Sequence, residues 1–349
     1  MGNRRRRKGG LASPANALAA RVQALLECAP FPSITQGSAV MSTRLVRAAF
    51  AALLLVFVGA CGKQESPAPA GTVANTPDAT VRKTADLLKQ GDIAGLMQNS
   101  LPPAEFARLK ADWGKDDNEK PITDEDRQKF QETMAKLTAP DAETALYAEI
   151  EPQLKQFDAQ YQQQLPMYVA MGSGWLQGMV QQNKDMSDAE KQQAVAAINA
   201  VAGWVQKTRF TDPESIKKVL AIATKAARDL NLKTLDEARA LNFDQSMQKA
   251  HVAFLAFKDA LAVYGFSIDQ TLDSVKPEVA TNDGKNATVK VNYMLLGTPL
   301  TANAEMVNID GHWYGKHTIE KLQEQQQQAA VKVAPAEPAP ATEAAPAKN

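Results

Sequence analysis

Histidine is the side chain most often used to move protons or bind metals near neutral pH, and the chain has three: His251, His312 and His317. The last two stand close enough to suggest a metal pair, but on an extended strand residues five apart point to opposite faces. Lys316 beside them would repel a cation, so both are expected to be structural, and His251, between Ala250 and Val252, to be a half-buried helical position. Paired carboxylates can divide acid and base work when their surroundings separate their pKa values. The acidic runs Asp116-Asp117-Asn118-Glu119 and Thr123-Asp124-Glu125-Asp126 instead read as a solvated loop leading into a helix's first turn, where acids favour the macrodipole. The first run also lacks the alternating oxygens and closing Glu of a calcium loop. Gly172-Ser173-Gly174 comes nearest to a nucleophile turn, yet no Gly-x-Ser-x-Gly elbow, phosphate-binding glycine loop or His-Glu-x-x-His occurs. The expectation is a protein that is not an enzyme, with no metal and no cofactor. Two alternatives stand beside it: an envelope hydrolase using acidic residues, and a structural spacer, which the scattered glycines and prolines disfavour.

The most unusual side chains lie in Leu165–Val180. Met167, Met171, Trp175 and Met179 recur every four residues, and Gly174 with Gly178 forms a small-xxx-small step. Sixteen residues holding Pro166 and three glycines are too short and too broken to span a bilayer. The stretch reads first as a buried central helix whose glycines admit a close neighbour. The second reading is a soft Met/Trp groove for a small apolar ligand or a partner protein.

Composition narrows the class. With 44% hydrophobic and 22% charged residues the usage is globular. The 39 basic and 39 acidic side chains argue against a nucleic-acid binder, which needs a basic excess. Residues 1–60 hold eight of the basic groups and one acid, so the remainder is acidic by about seven charges. Residues 48–60 are thirteen uncharged, mostly apolar positions behind Arg44 and Arg47. As a helix they rise about 20 Å, too little for a hydrocarbon core of about 30 Å. That is signal-peptide anatomy. Val58-Gly59-Ala60-Cys61 resembles the bacterial lipobox, whose cysteine is diacylated and becomes the new N-terminus. The resemblance implies Cys61 as the lipid-attachment residue and membrane anchoring through it. Gly62 stands where an inner-membrane retention signal would place Asp, which implies the periplasmic face of the outer membrane. Residues 41–60 are then the signal peptide, translation is expected to start at Met41, and residues 1–40 fit no targeting pattern and read as an upstream extension.

Behind the signal, residues 61–76 are Pro/Ala-rich and read as a tether. Residues 77–328 form the expected domain, helical over 77–266 and a β-meander over 274–318, and 329–349 form a disordered Ala/Pro-rich tail. Helix starts are legible at Thr76-Pro77, Ser187–Glu190, Thr211–Glu214 and Thr234–Glu237, the last three as capping boxes. Ile150, Leu154, Phe157, Tyr161 and Leu165 form an apolar helical stripe. Val289, Val291, Tyr293 and Leu295 alternate with their neighbours at strand period, and turns are expected at Asn282–Lys285, Gly297-Thr298-Pro299 and Asp310-Gly311. The fold class is α+β, predominantly α-helical with a small C-terminal antiparallel meander.

Two short segments carry a further resemblance. Val81–Asp92, with Lys89-Gln90-Gly91-Asp92, is similar to the first helix of envelope domains with the cystatin-like or nuclear-transport-factor-like fold, and Asp310-Gly311-His312-Trp313-Tyr314 is similar to their last strands. The resemblance covers about sixty residues and implies a cone-shaped cavity for a small ligand or partner peptide. The helical block over 100–260 exceeds what that fold holds.

Overall fold

The computed structural model describes residues 75–115 and 121–333. Residues 1–74, with Val58, Gly59, Ala60 and Cys61, lie outside them, as do the acidic run 116–119 and everything after 333. The order is α1 Pro77–Gln90, α2 Ile93–Ser100, α3 Pro103–Asp112, α4 Asp124–Thr138, α5 Ala142–Gln182, α6 Asp188–Lys207, α7 Pro213–Leu230, α8 Leu235–Arg239, α9 Phe243–Val263 and α10 Ile268–Asp273. Strands β1 Lys276–Asn282, β2 Asn286–Leu295, β3 Thr298–Ile309 and β4 His312–Gly315 follow, then α11 Lys316–Val333. The class is predominantly helical α+β, with one antiparallel sheet in the order β1-β2-β3-β4.

Local chemistry explains the breaks between elements. Thr76 caps α1, accepting from the Ala79 amide at 3.4 Å, with Pro77 behind it. The helix ends where Gly91 turns left-handed, at φ 71°. The Gly91 amide donates to the Leu88 carbonyl at 3.1 Å and the Asp92 amide to the Leu87 carbonyl at 2.9 Å, a Schellman closure. Asp92 then caps α2 through the Gly95 amide at 2.8 Å, so two residues end one helix and begin the next. Thr123 with Asp126 and Ser187 with Glu190 form complete capping boxes at α4 and α6. Thr234 accepts from the Glu237 amide, while the Glu237 carboxylate takes the Lys233 amide instead of returning to the cap.

The start of α7 differs from the expected box. Asp212 is the cap, accepting from the Ser215 amide at 2.8 Å with Pro213 as first helical residue, and Thr211 is buried with its hydroxyl on the Asp158 carboxylate. A carboxylate at the cap leaves the threonine free to join α7 to α5.

Among the described residues, two apolar clusters hold the elements together. Leu88, Ile93, Leu96, Phe243, Met247, Ala250 and Phe254 join α1, α2 and α9. Phe106 and Trp113 meet the Phe243 ring edge-on at 5.6 and 5.3 Å, an arrangement the ring quadrupoles favour. Ala287, Val289, Met306 and Trp313 form the buried sheet face, against which Val81 of α1 packs. The two segments that carry the fold resemblance therefore meet, through Val81 and the Trp313 cluster. The turn between β2 and β3 is the two-residue Leu296-Gly297, with φ of 50° and 83°, the left-handed pair a tight hairpin requires. Thr298 and Pro299 already belong to β3, pairing with Leu295 and Met294. The meander ends at Gly315. Lys316 begins α11, which runs through the glutamine run to Val333, five residues into the segment whose composition predicts no structure.

Candidate functional site

Helix α5 is 41 residues long, which at the standard rise makes it about 60 Å from end to end. It runs unbroken through Pro152 and Pro166, although each lacks the amide that would close the turn behind it. Its first half is tied to α7 and to the loop before it: Glu143 accepts from the Thr224 hydroxyl at 3.0 Å, the Lys217 ammonium lies 5.1 Å from the Tyr147 ring centroid, and Asp158 accepts from Nη2 of Arg209, in the α6–α7 loop, at 2.7 Å. The guanidinium of Arg209, and after it the Thr211 hydroxyl, hold the Asp158 carboxyl down from the ordinary 3.8 to about 2, because both favour its charged form. Past Asp158, α5 lies along α6, with which it forms a helical hairpin; Gln177 Nε2 donates to Asn199 Oδ1 at 2.9 Å.

That support covers one side only. Val169, Ser173, Gln177 and Val180 are half-buried on the inward side. Met167, Met171, Trp175 and Met179 are exposed, Met171 at 65% and Trp175 at 49%, and Tyr168 is exposed beside them. The four residues expected from spacing are thus brought together as a line, but on the outer surface. The buried-helix reading is overturned: a Cβ added at Gly172, Gly174 or Gly178 would meet nothing within 4 Å, so these glycines receive no neighbouring helix from among the described residues. Ile150, Leu154, Phe157, Tyr161 and Leu165 are half-buried rather than fully enclosed. Ridge-like and convex, the exposed line is suited to a protein surface; a small molecule would find few walls there.

A half-open cleft lies elsewhere, where the sequence points to no site. With a volume of about 820 Å³, it opens between α6, the segment from Gly265 to Thr271, and the β2–β3 turn. Ala200, Gly203, Trp204 and Lys207 form one wall, with Gln270 and Met294 facing them. Trp204 is fixed there, donating from Nε1 to the Tyr264 carbonyl at 2.8 Å and meeting Phe210 and Phe266 edge-on. The sequence signal that could have found this wall is the small-residue spacing Ala196, Ala200, Gly203 on α6. Its walls mix apolar and polar groups, with Lys207 as the single charged side chain, so it sorts no ligand class by itself.

The remaining singled-out residues lie apart from this cleft and from the α5 line. His251 Nδ1 lies 2.9 Å from the Gly91 carbonyl, half-buried as expected. His312 opens β4 and His317 sits in α11, so the two are not on one strand and the argument from opposite strand faces does not describe them. Thr123 and Asp126 are consumed by the α4 cap, and Arg127 bridges Asp124 and Asp236. Among the described residues no three His, Cys, Asp or Glu side chains converge at metal-binding range, and no helix is long and apolar enough to cross a membrane. Comparison with known proteins finds no matching family model, no matching curated protein and no matching solved structure.

Proposed function

We propose that this chain is a lipid-anchored cell-envelope protein, held at the periplasmic face of the outer membrane through Cys61, whose α+β domain docks a partner on the outer face of α5. The observation that carries the docking reading is the line Met167, Met171, Trp175 and Met179, exposed over three helical turns on a helix otherwise tied down by α6 and α7. Isolated exposed apolar residues need no explanation, but a contiguous row of methionine and tryptophan is what adaptable protein-binding surfaces present. The anchoring reading is supported by the apolar run of residues 48–60 and the lipobox-like Val58-Gly59-Ala60-Cys61. A Pro/Ala-rich stretch follows, able to hold the domain away from the bilayer.

Two experiments test the two halves. Cys61→Ser is expected to abolish palmitate incorporation and outer-membrane fractionation; continued lipid labelling would refute the anchor. Affinity capture from crosslinked envelopes, compared between the parent chain and Met171→Glu at equal amounts of folded protein, is expected to lose the captured species in the variant. Equal capture would remove α5 as the docking face.

A further inference from the structure

We infer that the occupant of the α5 face is a second copy of this chain, paired antiparallel about a two-fold axis at the level of Ser173. The inference rests on the docking reading above and names the partner. Of the residues equidistant from Ser173 on the outer side, Gly172 with Gly174, Met167 with Met179 and Gln164 with Gln182 are like pairs, Met171 falls opposite Trp175, and bulky Tyr168 falls opposite Gly178. At 3.6 residues per turn each of these pairs straddles the outer side of the helix, opposite the half-buried Ser173. An isologous contact needs a surface complementary to itself after a half-turn. This order supplies it. The Met171 thioether of one copy meets the Trp175 ring of the other, twice, a favourable sulfur–aromatic contact. Tyr168 covers the open backbone at Gly178, where an added Cβ would meet nothing, and the side chains of Met167 and Met179 close the ends.

Charge and area agree. From residue 159 to 183, twenty-five positions carry no Asp, Glu, Lys or Arg. The face therefore offers nothing to a partner of complementary charge, and charge depletion marks interface centres. A bilayer-seeking helix would instead carry Lys or Arg beside its apolar face. From their fractional exposures, Met167, Tyr168, Met171, Trp175 and Met179 offer at most roughly 550 Å² per copy, about 1,100 Å² for the pair if fully covered, which places the contact among weak, concentration-dependent interfaces.

Sedimentation equilibrium of the full chain tests this with a register-specific arm. The parent is expected to show a concentration-dependent dimer in the micromolar range. Met171→Glu and Trp175→Lys, each at an exposed position, should fold with unchanged circular dichroism and associate roughly tenfold more weakly or worse. An equimolar mixture of the two variants should regain dimer, because antiparallel pairing sets the introduced carboxylate of one copy against the introduced ammonium of the other. A monomeric parent, single variants that associate as well as the parent, or a mixture no better than its components would overturn the inference. If the parent is monomeric and envelope capture still depends on Met171, the second copy is rejected and the docking face stands; if capture is also indifferent to Met171→Glu, both fail.

Discussion

The ammonium of Lys258, 5% exposed on α9, is held by the Asp269 carboxylate of α10, and the same nitrogen donates to the Lys89 carbonyl at the end of α1. A cation at a helix C-terminus answers both an unpaired carbonyl and the negative end of the dipole. Three elements converge on this one atom.

Asp269→Ala should therefore leave a buried ammonium with only carbonyl and ring contacts. The carboxylate is about half exposed, so water offsets part of the loss. A cost of about 1–3 kcal/mol is expected in urea unfolding. Lys258→Met, which keeps the aliphatic fill against Phe254, should cost less than Asp269→Ala. The reverse order would show that the ion pair is not what joins α9 and α10.

Gly91 is the second junction on which α9 closes. Its left-handed φ and an added Cβ at 3.0 Å from Leu255 Cδ2 and 3.2 Å from His251 Nδ1 act together. Gly91→Ala should cost about 1–3 kcal/mol, the left-handed penalty plus displacement of those side chains. Thermal unfolding of the variant measures it; a neutral result would mean that the α1–α2 step relaxes freely.

The carboxyl of Asp158 has a lower pKa folded than unfolded, so its contribution to stability is present above the ordinary 3.8 and is lost as pH falls through about 2. The stability difference between the parent and Asp158→Asn should stay constant at neutral and mildly acidic pH and close over that interval. Urea titrations at stepped pH check this. A gap that persists below about 2 would place the effect in packing rather than in the Arg209 pairing.

Much of the frame was legible because its signals are local. Thr76-Pro77, Ser187–Glu190 and the alternation from Val289 to Leu295 depend on neighbours within a few residues, and each forms the expected element. The start of α7 is ambiguous by one residue in the sequence because Asp212 and Thr211 both satisfy capping grammar, and only the distant Asp158 selects between them. Spacing also gathered Met167, Met171, Trp175 and Met179 on one side of a helix. Whether that side faces a core depends on which helices lie alongside, and α6 covers the opposite side. The cleft beside Trp204 was invisible for the same reason, since its walls come from α6 and from segments far along the chain, at Gly265 and Met294.

Exposure of the α5 line has an immediate energetic consequence. Met171 is exposed within its own chain, so in the monomer Met171→Ala empties no packed site. At concentrations where the chain is monomeric, the substitution should change stability by no more than about 0.5 kcal/mol, against about 2–5 kcal/mol for a buried methionine. Chemical denaturation distinguishes the two, and a large loss would return this stretch to the core.

The central claim, that this face is occupied in the envelope, is tested most directly by a photo-crosslinking amino acid placed in living cells at Met171 and, as control, at exposed Lys225 of α7. The account predicts an ultraviolet-dependent adduct of defined mass from position 171 and none from 225. Its mass distinguishes a second copy from another protein. No adduct at 171, or equal adducts at both positions, would contradict the claim.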